Sequence, residues 1–205
     1  MRTLVIDSAT EACSVGLFED GLLLAGACEV IDRGHAERLV PMIAELPDRG
    51  RAARIVVSLG PGSFTGVRIG LAAARALGLA WQAEMSGYPT LALVAAIARQ
   101  ARPGPVTVCM TGGHGEWFVQ DFDDAGAPLA GHASLAPAAA ATAARCDVVA
   151  GSQASALVAL RGRGEALLLL PDARAFPLLP RSLATGSLAP IYGRPPDARL
   201  PSNRP

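Results

Sequence analysis

"SLGPGSFTGVRIGLAAARA", residues 58–76, follows the β-branched run "RIVVS" (54–58) directly and enters a helical pattern that continues to Trp81. A buried strand, a glycine-rich turn and an apolar helix in immediate succession predict an α/β unit. The backbone N–H groups of "GPGSFTG", with Gly60, Gly62, Ser63 and Thr65, stand at the head of that helix. They make an anion site, because first-turn donors lack intrahelical partners and the helix dipole is positive there. Neither common nucleotide template fits. A P-loop needs a Gly-Lys pair, and the dinucleotide fingerprint needs two residues between its second and third glycines, whereas three separate Gly62 from Gly66.

Upstream, "RTLVIDSATEACSVGLFEDGLLLAGACEV" alternates apolar runs with turn residues and predicts a meander of three strands. The first strand ends in "IDSAT". Ser8 and Thr10 there offer hydroxyls to a phosphate, and Asp7 could hold a metal through water. The same residues are also ordinary turn formers that satisfy local backbone groups. "HAERLVPMIAEL" places Leu39, Ile43 and Leu46 at helical spacing, with Pro41 past the first turn predicting a bend.

The helix after the glycine loop carries only Arg68 and Arg75 as charges between positions 67 and 81. A helix so apolar must be covered on two sides. Gly66, Gly70, Ala74 and Gly78 recur every four residues as a smooth ridge. Two readings of the ridge stand open: another helix, from a second protein, lies close on it, or it faces the chain's own sheet. A further helix is predicted over "YPTLALVAAIARQ", which completes a lobe of three strands, helix, strand, helix, helix.

"RPGP" (102–105) breaks the pattern. We read residues 1–102 as an N-terminal α/β lobe, 103–192 as a smaller C-terminal α/β lobe and 193–205 as an extended or disordered tail. In the second lobe "VTVCM", "EWFVQDF" and "DVVAG" read as strands, "APAAAATAARC" as a helix and "ALLLL" as a buried segment. The charge balance is 18 basic against 18 acidic residues, every basic one arginine, so no global field draws in nucleic acid and no Schiff-base lysine is available. Cys13, Cys28, Cys109 and Cys146 are scattered, which predicts reduced thiols. His35, His114 and His132 have no metal-ligand spacing and read as caps or surface residues. No signal peptide and no membrane-length apolar run is seen, which predicts a cytoplasmic protein without membrane contact.

"IDSATEACSVGLFEDG", "HAERLVPMI" and "GPGSFTGVRIGLAAARAL", in this order and spacing, together resemble the TsaB (YeaZ) family over nearly all of residues 1–100. The second lobe departs from the family pattern. Thr111, Gly112 and Gly113 stand where the family usually has D-A-R, and Gly193 replaces a leucine in "PIYGRPPDAR". The resemblance implies a two-lobed α/β fold of the actin, Hsp70 and sugar-kinase (ribonuclease H-like) type with a reduced second lobe. It implies a non-catalytic scaffold, with no catalytic residues and no metal, that binds TsaD in threonylcarbamoyladenosine synthesis on tRNA. It also implies TsaE in the full complex, a homodimer when alone, and contact with tRNA only through the complex.

The partner interface that follows uses His35, Leu39, Met42, Gly66, Arg68, Gly70, Leu71, Ala74, Arg75 and Gly78. No cofactor is expected to be tightly bound; ATP or ADP would sit at the subunit junction against Asp7, Ser8, Thr10, Gly60, Gly62, Ser63 and Thr65. Two alternatives are a free-standing ATP-dependent phosphotransferase of the same fold and a glycoprotease-like peptidase. The missing metal-ligand spacing argues against the peptidase, and the lack of a clear general base argues against the phosphotransferase.

Overall fold

The computed structural model describes residues 1–193. The expected tail therefore lies, apart from Gly193, outside the described residues. The meander is present as β1 (Arg2–Asp7), β2 (Ala12–Glu19) and β3 (Leu22–Val30), followed by α1 (His35–Ala44), β4 (Arg54–Ser58) and α2 (Phe64–Trp81). A strand the sequence reading lacks, β5 (Glu84–Tyr88), precedes α3 (Thr90–Ala101). These strands form one sheet in the order β3-β2-β1-β4-β5, antiparallel through β1–β3 and parallel at β1–β4 and β4–β5.

A second sheet takes β6 (Val106–Thr111), β7 (Trp117–Phe122), β8 (Ala133–Leu135), β9 (Val148–Ala150) and β10 (Glu165–Leu167) in the order β10-β9-β6-β7-β8. Its helices are α4 (Pro137–Ala143) and α5 (Ala154–Arg161). Neither β8 nor α5 is anticipated from sequence. Of the "ALLLL" segment, only Ala166 and Leu167 fall within β10, and Leu168 is exposed.

Three apolar layers fill the molecule. Alternation along β1 sends Val5 to one face and Leu4 and Ile6 to the other. Leu4 and Ile6 pack with Leu39, Met42, Val67, Leu71 and Ala74 of α1 and α2. Val5, Val56 and Tyr88 pack with Leu91, Val94 and Ala98 of α3, and beyond them with Val106, Val108 and Phe122 of the second sheet. The outer face of the second sheet is closed by Ala140 and Leu157 of α4 and α5. Helix α3 is thus buried between the sheets, which explains why it is apolar from Leu91 to Ala98 and carries Arg99 and Gln100 only in its last turn.

Residues 173–192, assigned to the second lobe from sequence, return to the first sheet. Ala173 N–H donates to Ser14 Oγ at 2.9 Å, Gly87 and Thr185 exchange backbone hydrogen bonds, and Ile191 N–H donates to Leu59 O at 2.7 Å. The apolar side chains Phe176, Leu179, Leu188 and Ile191 drive the return by covering first-lobe core that would otherwise meet water. Cys13, Cys109 and Cys146 are buried free thiols and Cys28 is half-buried; burial pushes Cys13 up to about 11 and Cys109 up to about 12. Among the described residues no helix is long and apolar enough to cross a membrane.

Candidate functional site: the cleft and the outer helix face

The β1–β2 turn, the loop before α2 and the β6–β7 turn open on one cleft of about 880 Å³. Its first wall is built by two loops bonded to each other. Ser63 N–H donates to Ala9 O at 2.6 Å, and Ser8 Oγ donates to Gly66 O at 2.9 Å. The approach is so close that a Cβ on Gly62 would overlap the carbonyl of Ala9, and one on Gly66 the carbonyl of Ser8. Glycine is required at both positions for that contact. Ser63 caps α2 by accepting from Gly66 N–H at 3.2 Å.

Of the residues expected at a nucleotide, Thr10, Gly62, Ser63 and Thr65 line the cleft. Asp7, Ser8 and Gly60 do not. Asp7 is fully buried, with Oδ1 accepting from Ala9 N–H at 3.0 Å and Oδ2 from the Tyr88 hydroxyl at 2.8 Å. Of the two readings of the turn, this arrangement fits the one in which Asp7 satisfies local groups, since its carboxylate points into the core and its oxygens are engaged there. Ser8 spends its hydroxyl on α2, and Gly60 accepts from Thr90 N–H through its carbonyl at 2.8 Å with φ +91°. Among the described residues no group of three or more His, Cys, Asp or Glu is placed to hold a metal ion.

Burial is the main cause that raises the Asp7 carboxyl to about 6, against the opposing hydrogen bonds from Ala9, Tyr88 and Ser58. A carboxyl whose folded value is raised holds its proton more tightly in the folded chain. Its stabilising contribution is complete below the ordinary carboxylate value and is lost as pH rises through about 6. Between about pH 5 and about pH 7.5 this group should cost about 1–2 kcal/mol of stability. Asp7→Asn should remove that part of the pH dependence. Urea midpoints of both proteins at the two pH values measure it, and identical pH slopes would contradict the assignment.

The second wall is the β6–β7 turn, where Thr111, Gly112, Gly113 and His114 face the cleft. Thr111 is fixed by Ser152 Oγ, which accepts from its N–H at 3.0 Å, and by Gln153 Nε2, which donates to its hydroxyl at 2.9 Å. His114 is exposed, as read from sequence, and stands at the rim of the cleft with φ +58°. The mouth holds a cluster that sequence reasoning missed. The Arg68 guanidinium lies 3.6 Å over the Phe64 ring and donates to the Tyr192 hydroxyl at 3.2 Å, and the two rings are 5.6 Å apart. Gly193, in place of the family's leucine, lies against the Phe118 ring with no room for a side chain.

The anticipated partner residues are mostly turned inward. His35 Nε2 pairs with Thr10 O at 2.8 Å, and Leu39 and Met42 are fully buried in the first-lobe core. A Cβ on Gly70 would stand 2.6 Å from Ser8 Oγ, and one on Gly78 2.5 Å from Met85 Sδ. Gly66, Gly70, Leu71, Ala74 and Gly78 therefore face the chain's own sheet, the second of the two readings of the ridge. Small residues there let α2 settle close onto β4 and β5. Arg68 belongs to the cleft, and Arg75 donates to Leu188 O at 3.1 Å, holding the returning segment.

Away from the cleft, the exposed apolar residues of α2 are Ala72, Ala76, Leu79 and Ala80, with Arg75 among them, and those of the neighbouring α1 are Ala36, Val40 and Ala44. Leu79 is 84% exposed and Val40 56%. Two large apolar side chains left exposed on neighbouring helices, with small apolar residues around them, are the kind of surface that serves as an interaction site.

The family model for TsaD, tRNA N6-adenosine threonylcarbamoyltransferase, matches residues 28–165. The tRNA threonylcarbamoyladenosine biosynthesis protein TsaB of Escherichia coli strain K12 is 44% identical over 100 residues, covering 46% of this chain and 43% of that protein. Its Haemophilus influenzae counterpart is 41% identical over 100 residues, covering 46% of this chain and 41% of its own length. The chain thus matches less than half the length of these curated relatives.

Among solved structures, YeaZ from Pseudomonas aeruginosa superposes with a TM-score of 0.78 at 27% identity, covering 93% of this chain and 99% of that one. Carboxydothermus hydrogenoformans EutJ, at 12% identity and a TM-score of 0.50 over 88% of this chain and 90% of its own, shares the fold alone. That fold is a two-lobed α/β arrangement of two mixed five-stranded sheets. An uncharacterized Pseudomonas aeruginosa protein with similarity to peptidase YEAZ matches at 30% identity with a TM-score of 0.73, over 85% of this chain and 87% of that one. With a YEAZ-like protein matched at 30% identity over 87% of its length, YeaZ superposing over 99% of its own and TsaB proteins among the curated relatives, the chain belongs to the TsaB (YeaZ) family.

Proposed function

We propose that the chain is a non-catalytic scaffold subunit that binds TsaD in the biosynthesis of threonylcarbamoyladenosine on tRNA, in the cytoplasm. The observation that carries this reading is the uncovered apolar face of α1 and α2, with Leu79, Val40, Ala72 and Ala76 outward. Family membership supplies the kind of partner. The interface so proposed differs from that drawn from sequence: it is built from exposed residues of α1 and α2 that lie off the inward-facing glycine ridge. The same face would pair with a second copy when the chain is alone, and TsaE and tRNA would be reached through the assembled complex. ATP or ADP would meet Thr10, Gly62, Ser63 and Thr65 at the junction, with weak affinity until TsaD completes the site.

Depleting the chain in its host and analysing tRNA nucleosides by mass spectrometry tests this function. Threonylcarbamoyladenosine should fall while other modified nucleosides hold, and an unchanged level would contradict it. Calorimetry with ATP should give tighter binding to the mixture with TsaD than to the chain alone. Equal affinity would remove the junctional site.

A further inference from the structure

The first lobe has a second cavity, at the end of the strands opposite the cleft, of about 520 Å³. It lies beneath the returning segment and goes beyond the scaffold reading, on which it does not depend. Phe18, Phe176 and Leu179 give it an apolar floor, with Pro177 and Pro180 at the side. Arg54, at the first position of β4, and Arg181, at the start of a 3-10 turn (Arg181–Leu183), reach it from two sides.

The charge balance in this cavity is uneven. Among the described residues its only acidic lining residue is Asp20, and that carboxylate is taken by the Met1 ammonium. Arg54 is half-buried and held by Ser86 Oγ, to which its Nη2 donates at 3.1 Å. Neither Arg54 nor Arg181 meets a carboxylate among the described residues, whereas Arg38, Arg102 and Arg174 each do. A guanidinium held by one neutral hydroxyl keeps most of its five donors for something else. Half-buried beside an apolar floor, it favours an anion over water because the local dielectric is low.

We propose that this cavity binds a small amphiphilic anion, a carboxylate or phosphate monoester whose head lies between Arg54 and Arg181 and whose apolar body lies on Phe18 and Phe176. The volume is in the range of ordinary small-molecule pockets.

The test uses the untagged full chain. Octanoate, octyl phosphate, octanol and inorganic phosphate are titrated by calorimetry, and amide chemical shifts map where each binds. Octanoate or octyl phosphate should bind, with shifts at Phe18, Gly21, Arg54 and Ala184, and whichever binds more tightly identifies the head group. Octanol and inorganic phosphate should each bind at least about tenfold more weakly, since each lacks one half of the recognition. Arg54→Gln and Arg181→Gln should each weaken the anion about tenfold. Arg181 is exposed, so its variant remains folded and keeps the test decisive if Arg54→Gln does not fold. The proposal is overturned if neither amphiphile binds, if octanol binds as well as octanoate, if Arg181→Gln leaves affinity unchanged, or if the shifts map to the cleft or to the outer helix face.

Discussion

Gly66→Ala should lower the stability of the isolated chain by at least about 3 kcal/mol, a drop on the order of 10 °C in unfolding temperature for a chain this long. The added methyl would overlap the carbonyl oxygen of Ser8, a backbone atom that cannot turn aside as the tip of a side chain can. Moving it also breaks the Ser8 hydroxyl bond to Gly66 O and the Ser63 N–H bond to Ala9 O, which together lock the β1–β2 turn onto the head of α2. The penalty falls on folding, so it should not vary with protein concentration. Gly70→Leu should act in the same direction, because its Cβ would stand 2.6 Å from Ser8 Oγ. Thermal melts at several concentrations check both variants. A Gly66→Ala chain that melts with the wild type would mean that α2 does not sit on its own sheet as described.

Leu79→Arg should leave the fold alone and abolish partner capture. At 84% exposure the leucine contributes little to the free chain, so stability should move by no more than about 0.5 kcal/mol. At a partner interface, by contrast, the guanidinium would be buried without a countercharge, and affinity for TsaD should fall by a factor of about 30 or more. Val40→Arg, on the neighbouring helix, should do the same. Calorimetric titration of each folded variant with TsaD measures the loss. Wild-type affinity in both would remove the outer face of α1 and α2 from the interface.

The two glycines and the leucine also mark what sequence can and cannot disclose. A four-residue recurrence of Gly66, Gly70, Ala74 and Gly78 establishes a smooth stripe on a helix, but not whether a sheet or another protein lies against it. The neighbours that decide, Met85 and Ser8, come from other elements. The inward turn of Asp7 was legible in principle. Strand alternation puts Asp7 on the face of Val5, and that face meets Tyr88 and α3, while Ser8 follows Ile6 toward α2.

The strand β5 was hidden because "EMSGY" centres on serine and glycine, residues that favour strands weakly, and its place is secured by parallel pairing with β4. The short β8 and α5 are likewise stabilised by neighbours more than by their own pattern. The Phe64, Arg68 and Tyr192 cluster had no local signal, since its members are brought together across 124 residues of sequence by the returning segment. By contrast the meander, β4 and α2 were legible, because their apolar periodicity is long and their turns are punctuated by Asp, Ser and Gly.

Amide hydrogen exchange of the wild-type chain, alone and saturated with TsaD, tests the scaffold account most directly. It reads the position of the partner without altering a residue. The account predicts added protection concentrated in α1 and in the outward turns of α2 around Ala72, Ala76 and Leu79, with β6 to β10 unchanged. Because the isolated chain would pair through the same face, the free sample must be dilute enough to be monomeric. Protection confined to the second lobe, or none anywhere at saturating TsaD, would contradict it.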